Sequence, residues 1–370
     1  MQKKIGVLPG DGIGPEVVAQ GIKVLNAIGE RYGHSFQYEV GEIGASAIDK
    51  TGSALPDRTL DICLASDAIL LGAVGDPRFD LDPNAKVRPE QGLLALRKSL
   101  GLFANIRPIT TFDALIHLSP LKEEKIKGAN FIIYRELTGG LYFGKKERNG
   151  DTAFDNCTYS TLEISRIAKL AFEAAIHRDK KLTLVDKANV LETSRLWRDT
   201  VSKIQKEQYP EVELELMFVD NAAMQLIQQP NKFDVVLTEN MFGDILSDEA
   251  SVITGSLGLL PSASIGEKTS LFEPVHGSYP QAAGKDIANP FATILSVAMM
   301  LESFDMFDEA LAVNDAVKRC LEEGFVTVDI APQNAYHCSK VGDLIALLIM
   351  EEGNTHFNKH NIEDSESIII

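Results

Sequence analysis

The sequence predicts an α/β fold in two lobes, and three observations predict it. Short apolar runs alternate with longer amphipathic segments almost throughout the 370 residues, the pattern of strands joined through crossover helices into a largely parallel sheet. Several of the runs have no polar face, as strands buried on both sides do. At 45% hydrophobic residues the chain can bury one large core or two medium ones with a cleft between them.

Taken in order, the first strand is expected at Lys4–Leu8. Pro15 then sits at the start of a helix running to about Ile28, where its missing N–H and fixed φ do no harm. Strands follow at Ala68–Val74 and Phe131–Glu136, and Ser160-x-x-Glu163 forms a capping box before a helix to about His177. Leu182–Val185, Leu214–Val219 and Val235–Thr238 read as further strands, and Pro290–Phe304 and Lys340–Glu351 as the closing helices. The tail after about Asn354 is polar, ends in three isoleucines and is expected to fray.

Composition excludes several classes of function. Lys and Arg number 36 against 53 Asp and Glu, a net charge of −17, and no basic block is present. Nucleic acid and anionic membrane surfaces are therefore not expected partners. No run reaches the roughly 18 apolar residues of a membrane span, and the N-terminal apolar run is too short for a secretory signal. Cys63, Cys157, Cys320 and Cys338 form no C-x-x-C pair, so reduced, mostly buried thiols and a cytosolic setting are expected.

Five groups of residues carry chemistry. Gly10-Asp11-Gly12-Ile13-Gly14-Pro15-Glu16 lies between a strand and a helix, yet the third glycine of a dinucleotide fingerprint would fall on Pro15, so a tight turn is the favoured reading over nucleotide binding. His356 and His360 have metal-ligand spacing but occupy the polar tail, where solvation is the simpler reading. Asp244 and Asp248 share one face of a helix start; they either complement its dipole or, with Asp220 at a strand end, offer three oxygens to Mg²⁺ or Mn²⁺. Arg97, Arg107 and Arg135 are each ordinary alone, but together three guanidinium forks can orient a dicarboxylate. Lys187 follows a strand, and Tyr142 sits among glycines that allow close approach.

Seven segments in order resemble the β-decarboxylating dehydrogenases: Leu8 to Glu16, Gly92 to Lys98, Ala104 to Pro108, Arg135 to Gly144, Asp186 to Val190, Asn240 to Glu249 and Glu273 to Ser278. The resemblance implies the two-domain fold of the isocitrate and isopropylmalate enzymes, which is not a Rossmann fold. Residues 1–102 plus 255–370 would form the first domain and 103–254 the second, which would carry a homodimer interface. It implies oxidative decarboxylation of a substituted malate with NAD⁺ and Mg²⁺ or Mn²⁺. Arg97, Arg107 and Arg135 would hold the carboxylates, and Asp220, Asp244 and Asp248 the metal. Asp220, which would also touch substrate, and Lys187 would reach in from the partner subunit.

The same resemblance makes Lys187 the base and Tyr142 the proton donor. Glu90, Leu93, Leu94 and Val190 would surround an isopropyl group, and 4-methyl-2-oxopentanoate, a leucine precursor, would be the product. The cofactor would lie along Gly75, Glu90, Glu273, His276, Gly277, Ser278, Gln281 and Asn289. Gln281 stands where NAD-preferring members usually carry an acidic residue. A neutral amide still bonds ribose hydroxyls but repels a 2′-phosphate less, so NAD⁺ stays favoured over NADP⁺ by a narrower margin.

Overall fold

A computed structural model describes residues 1–81 and 85–351, so His356, His360 and the isoleucine tail lie outside the described residues. Twelve strands occur in chain order: β1 (Gln2–Gly10), β2 (Ser35–Val40), β3 (Ala68–Ala73), β4 (Ala104–Thr110), β5 (Asn130–Glu136), β6 (Lys146–Asn149), β7 (Thr152–Asp155), β8 (Lys181–Asp186), β9 (Glu213–Phe218), β10 (Val235–Thr238), β11 (Pro261–Ile265) and β12 (Ser270–Pro274). Ten of them form one sheet in the order β2-β1-β3-β12-β11-β4-β5-β10-β8-β9, while β6 and β7 make a separate exposed hairpin.

All six strands expected from the sequence are present. The sheet is largely parallel, as expected, with six parallel pairings, but not wholly so: two parallel blocks at the ends are joined by three antiparallel pairings, β12 with β11, β11 with β4 and β4 with β5. The reason is connection length. β11 and β12 are separated by residues 266–269 alone, and so short a link allows only an antiparallel return. The expected placement of Asp220 at a strand end also shifts, since β9 stops at Phe218 and Asp220 lies in the first turn of the helix Val219–Gln228.

Side-chain packing separates into groups that position the site. Helices Gly14–Tyr32, Phe291–Glu302, Phe307–Glu323 and Cys338–Met350 pack with β1, β3 and β12 around one core. The helix Phe291–Glu302 has ten buried residues, seven of them in this core, matching the apolar run in the sequence. In the middle of the chain, helices Thr161–Ile176 and Glu192–Gln208 cover one face of β8 and β10 with Phe172 and Trp197. Helices Val219–Gln228 and Asn240–Ser251 cover the other face through Ala222, Leu226, Leu246 and Ala250. Among the described residues no helix is long and apolar enough to cross a membrane. The four cysteines are free, and Cys157 alone is not buried.

The glycine cluster after β1 is a structural turn. Gly12 has φ 58°, and a Cβ there would lie 1.9 Å from the Ser278 carbonyl oxygen. Only glycine allows the backbones to approach so closely. Beside it the buried Asp11 carboxylate accepts from the backbone N–H groups of Ala45 (2.9 Å), Ser46 (2.8 Å) and Gly75 (2.8 Å). One carboxylate thus starts the helix Ala45–Thr51 and holds the loop after β3. Asp11→Ala leaves those three donors unsatisfied, and urea unfolding should show a loss of about 2–4 kcal/mol.

Candidate active site

The site is built where the helix Asn240–Ser251 begins. Glu239 caps that helix by accepting from the N–H groups of Phe242 (2.8 Å) and Met241 (3.3 Å), which aims its first turns at the neighbouring pair β4 and β5. Arg135 lies opposite Asn105 and Arg107 opposite Ile133 in that antiparallel register, so both arginines share one face of the sheet. Gly243 lets the helix settle on them, since a Cβ there would stand 2.6 Å from Arg135 Cγ.

Both guanidinium groups are buried, Arg107 at 8% and Arg135 at 4% exposure, and each has a dense set of partners. Arg107 donates to Ser247 Oγ (2.6 Å), Asn105 Oδ1 (2.7 Å) and Asp248 Oδ1 (3.2 Å). Arg135 donates to Asp244 and, through Nη2 and Nε, to the single oxygen Asn240 Oδ1 at 2.9 and 3.1 Å. Burial, with the like charges of Arg107 and Arg97, pulls the Arg135 guanidinium down to about 10 against the opposing pull of Asp244. It remains a cation at neutral pH. Burial likewise lowers Arg107, and Arg97 acts in the same direction, so the three arginines lie within electrostatic reach of one another. Arg97 itself donates to Glu273 Oε1 at 2.8 Å.

Tyr142 belongs to this cluster. Its hydroxyl donates to Asp244 Oδ2 at 3.0 Å, and the Arg135 guanidinium stands 5.8 Å from its ring centre. Burial first, and the Asp244 carboxylate second, raise the phenol above its ordinary value, so its proton is retained at neutral pH.

Lys187 and Asp220 form a separate pair. Lys187 Nζ donates to Asp220 Oδ1 at 2.9 Å, and this bond holds the exposed Asp220 carboxyl below its ordinary range. Asp244 and Asp248 are thus brought together while Asp220 is not. Among the described residues of one chain, no three acidic, His or Cys side chains gather into a metal-sized group.

On the helix Pro89–Ser99, Glu90, Leu93, Leu94 and Arg97 fall at spacings of three and four and therefore share a face. Gly75, with φ 133°, brings Glu90 and Ser278 together: a Cβ on it would meet Glu90 Oε1 at 3.1 Å and Ser278 Oγ at 3.6 Å. A pocket of about 550 Å³ opens beyond, lined by His276, Gly277 and Asn289 with Ile13, Leu257, Tyr279, Val328 and Asp329. His276 Nε2 is buried there without a partner, and burial lowers the imidazole's pKa so that the ring is neutral. Asn289 is braced by a 2.9 Å bond to Asp329. Gln281 is exposed nearby and Glu273 is buried on the arginine side; neither lines the pocket.

Comparison with known proteins gives the family. A family model described as isocitrate/isopropylmalate dehydrogenase matches residues 4–345. This chain belongs to that family. The 3-isopropylmalate dehydrogenase of Bacteroides fragilis is 57% identical over 330 residues, covering 89% of this chain and 93% of that protein. That of Aquifex aeolicus is 56% identical over 345 residues, covering 92% and 93%. Among solved structures, the isocitrate dehydrogenase of Methylococcus capsulatus superposes with a TM-score of 0.84 at 35% identity, covering 94% of this chain and all of that one.

Within this candidate site, sequence reasoning missed the residues that orient the arginines. Asn105, Ser247 and Asn240 supply their neutral acceptors. Asn240 Nδ2 also donates to the Gly139 carbonyl at 3.2 Å, and its N–H donates to Tyr159 Oη at 3.0 Å. One amide therefore joins Arg135 to the turn that carries Tyr142. The only signal in the sequence was that Asn240 opens the matching segment.

Asn240→Asp is nearly isosteric but sets a carboxylate against Arg135 and loses the bond to Gly139. Steady-state kinetics should show KM for the carboxylate substrate raised about tenfold or more, equivalent to at least ~1.4 kcal/mol, with the melting temperature little changed.

Proposed function

We propose that the protein oxidises and decarboxylates (2R,3S)-3-isopropylmalate to 4-methyl-2-oxopentanoate and CO₂ with NAD⁺ as oxidant, a step of leucine synthesis, in the cytosol. The observation that carries this reading is the trio of interacting arginines, with Leu93 and Leu94 one turn before Arg97 on a shared helix face. Two malate carboxylates find fixed cations, and the third substituent finds methyl groups. A third carboxylate placed against Leu93 and Leu94 would lose its solvation without gaining a partner, a cost far above that of an unfilled gap.

The donor sets fit the two groups this chemistry needs. Asp244 and Asp248 are hard oxygen donors one turn apart, and Asp220 would complete the set from a second subunit. A bound Mg²⁺ or Mn²⁺ supplies Lewis-acid polarisation of the substrate oxygen. The pocket at His276, Gly277 and Asn289, of about 550 Å³, has apolar walls with polar groups among them, and Gly75, Glu90 and Ser278 lie together next to it in the chain's fold, a setting that fits a dinucleotide. Bound NAD⁺ supplies the hydride acceptor.

The chain's own residues do the rest. Arg97, Arg107 and Arg135 fix the carboxylates, which sets the C2 hydroxyl before Lys187 of a second subunit. Lys187 takes the hydroxyl proton as the C2 hydride leaves. Loss of CO₂ from the resulting β-keto acid gives an enolate, and Tyr142, kept protonated by burial and Asp244, returns a proton to carbon. Val190 N–H bonds the Lys187 carbonyl at 2.9 Å, so Val190 would arrive on the same turn as the base, beside the isopropyl group.

Homodimerisation is supported by exposed apolar side chains on two neighbouring helices. Met224 and Ile227 on one helix, and Ile245 and Val252 on and just past its neighbour, are exposed, and a patch of this kind marks a subunit interface. The division of the core fits a first domain of residues 1–102 plus 255–370 and a second of 103–254, with the interface on the second.

Purified protein should reduce NAD⁺ with 3-isopropylmalate and Mn²⁺, faster than NADP⁺, and stop on addition of a chelator. Turnover of isocitrate or D-malate in place of 3-isopropylmalate would refute the substrate. Lys187→Ala and Tyr142→Phe should each turn over slowly alone. Co-refolded in equal amounts they should regain about a quarter of wild-type activity, because half the dimers are mixed and each mixed dimer holds one intact site. No recovery would place both groups on one chain.

A further inference from the structure

We propose that the ring of Tyr279 forms one wall of the cofactor pocket and stacks on the nucleobase of the dinucleotide, an inference that rests on the cofactor site proposed above. Tyr279 is 57% exposed and lines the pocket with Ile13, Leu257 and Val328. Its backbone is left-handed, at φ 37° and ψ 63°. That region is costly for a bulky side chain, and Pro280 follows it, which pushes the preceding residue toward extended backbone. The conformation is thus disfavoured by the residue itself and by its neighbour.

The surroundings impose it. Ile13 N–H bonds the Ser278 carbonyl at 2.8 Å on one side, and Ala282 N–H bonds the Tyr279 carbonyl at 3.0 Å on the other. Beyond them the Glu16 carboxylate accepts from the N–H groups of Gly284 and Asp286, and Asp286 accepts from Ser339 N–H at 2.8 Å. A segment clamped at Ser278, Gly284 and Asp286 leaves residue 279 no relaxed alternative, and glycine would satisfy that backbone at no cost. A tyrosine held there against local preference, its ring facing a pocket rather than a core, points to a contact with something bound.

The pocket's chemistry indicates which part of the ligand it meets. Apolar side chains of Ile13, Leu257 and Val328 provide van der Waals surface, and the His276 imidazole beside them has its Nε2 buried without a partner. Among the described residues no Lys or Arg lines the pocket. A planar, uncharged heteroaromatic base with polar edge atoms fits such walls; a phosphate does not.

The test measures equilibrium binding of NADH, AMP and reduced nicotinamide mononucleotide by calorimetry to wild type, Tyr279→Phe and Tyr279→Gly, with thermal melting of the unliganded proteins. Tyr279→Phe should bind all three within about twofold of wild type. Tyr279→Gly should bind NADH and AMP about tenfold more weakly, bind the mononucleotide unchanged, and melt no lower than wild type, because glycine relieves the left-handed backbone. Equal binding of AMP by wild type and Tyr279→Gly, with NADH still bound, would overturn the stacking role and leave the cofactor site standing. Failure of wild type to bind NADH or AMP would remove the site itself.

Discussion

The structure depends on two guanidinium groups buried side by side between β4, β5 and the start of the helix Asn240–Ser251. Removing a charge from water costs several kcal/mol unless hydrogen bonds and counter-charges offset it, and two like charges repel as well. Arg107 and Arg135 have Asp244 and Asp248 as anionic neighbours but also three neutral acceptors, Asn105, Asn240 and Ser247. Neutral acceptors satisfy N–H donors without cancelling charge. Each arginine is therefore held by three hydrogen bonds yet still has positive charge to offer a ligand, which an all-carboxylate shell would have extinguished.

That requirement explains much of the local architecture. The antiparallel register of β4 and β5 places the arginines on one face, Gly243 lets the helix approach, and the Glu239 cap fixes the helix direction. Tyr159 stands behind, donating to Glu239 Oε2 and accepting from Asn240 N–H, with its ring against Trp197. Gly139 and Gly140 pass over that same ring, where a Cβ would come within 2.5 Å and 2.4 Å of Tyr159 atoms respectively. One aromatic side chain thus sets the height of the turn leading to Tyr142 and the start of the helix carrying Asp244, which the Tyr142 hydroxyl joins.

Legibility in the sequence follows from how local each feature is. The spacing of Asp244 and Asp248, the Ser160 to Glu163 capping box and the buried strands depend on residues a few positions apart, and all are as expected. β4 and β11 went unread because they bury polar residues: Asn105 Nδ2 bonds Ser264 Oγ at 3.1 Å inside the sheet, so neither segment looks apolar. Asn240 could not be read as an arginine ligand, since its partner lies 105 residues earlier. Tyr279 opposes the local rule outright, because a residue before proline should be extended and is held left-handed by contacts from distant segments.

The charge of the whole chain sets the conditions under which this site works. At −17 the protein repels a dianionic malate and an anionic dinucleotide at long range, but at physiological salt that field decays over about 8 Å. Inside that distance the ligand meets only local groups, and the partition is uneven. Arg107 and Arg135 are embedded in protein, where water screens them little, whereas most carboxylates that produce the net charge lie on the surface. On the proposed reading affinity is thereby separated from the overall field: two buried cations and Arg97, rather than the surface carboxylates, would decide what binds. The proposed cofactor pocket follows the opposite logic, with no cation and one carboxylate, Asp329, among the described residues that line it. An added 2′-phosphate would have to be met by groups at the pocket's mouth, where Gln281 is neutral. The proposed preference for the unphosphorylated dinucleotide would therefore come from missing attraction more than from repulsion, a shallower discrimination than an acidic residue at 281 would impose.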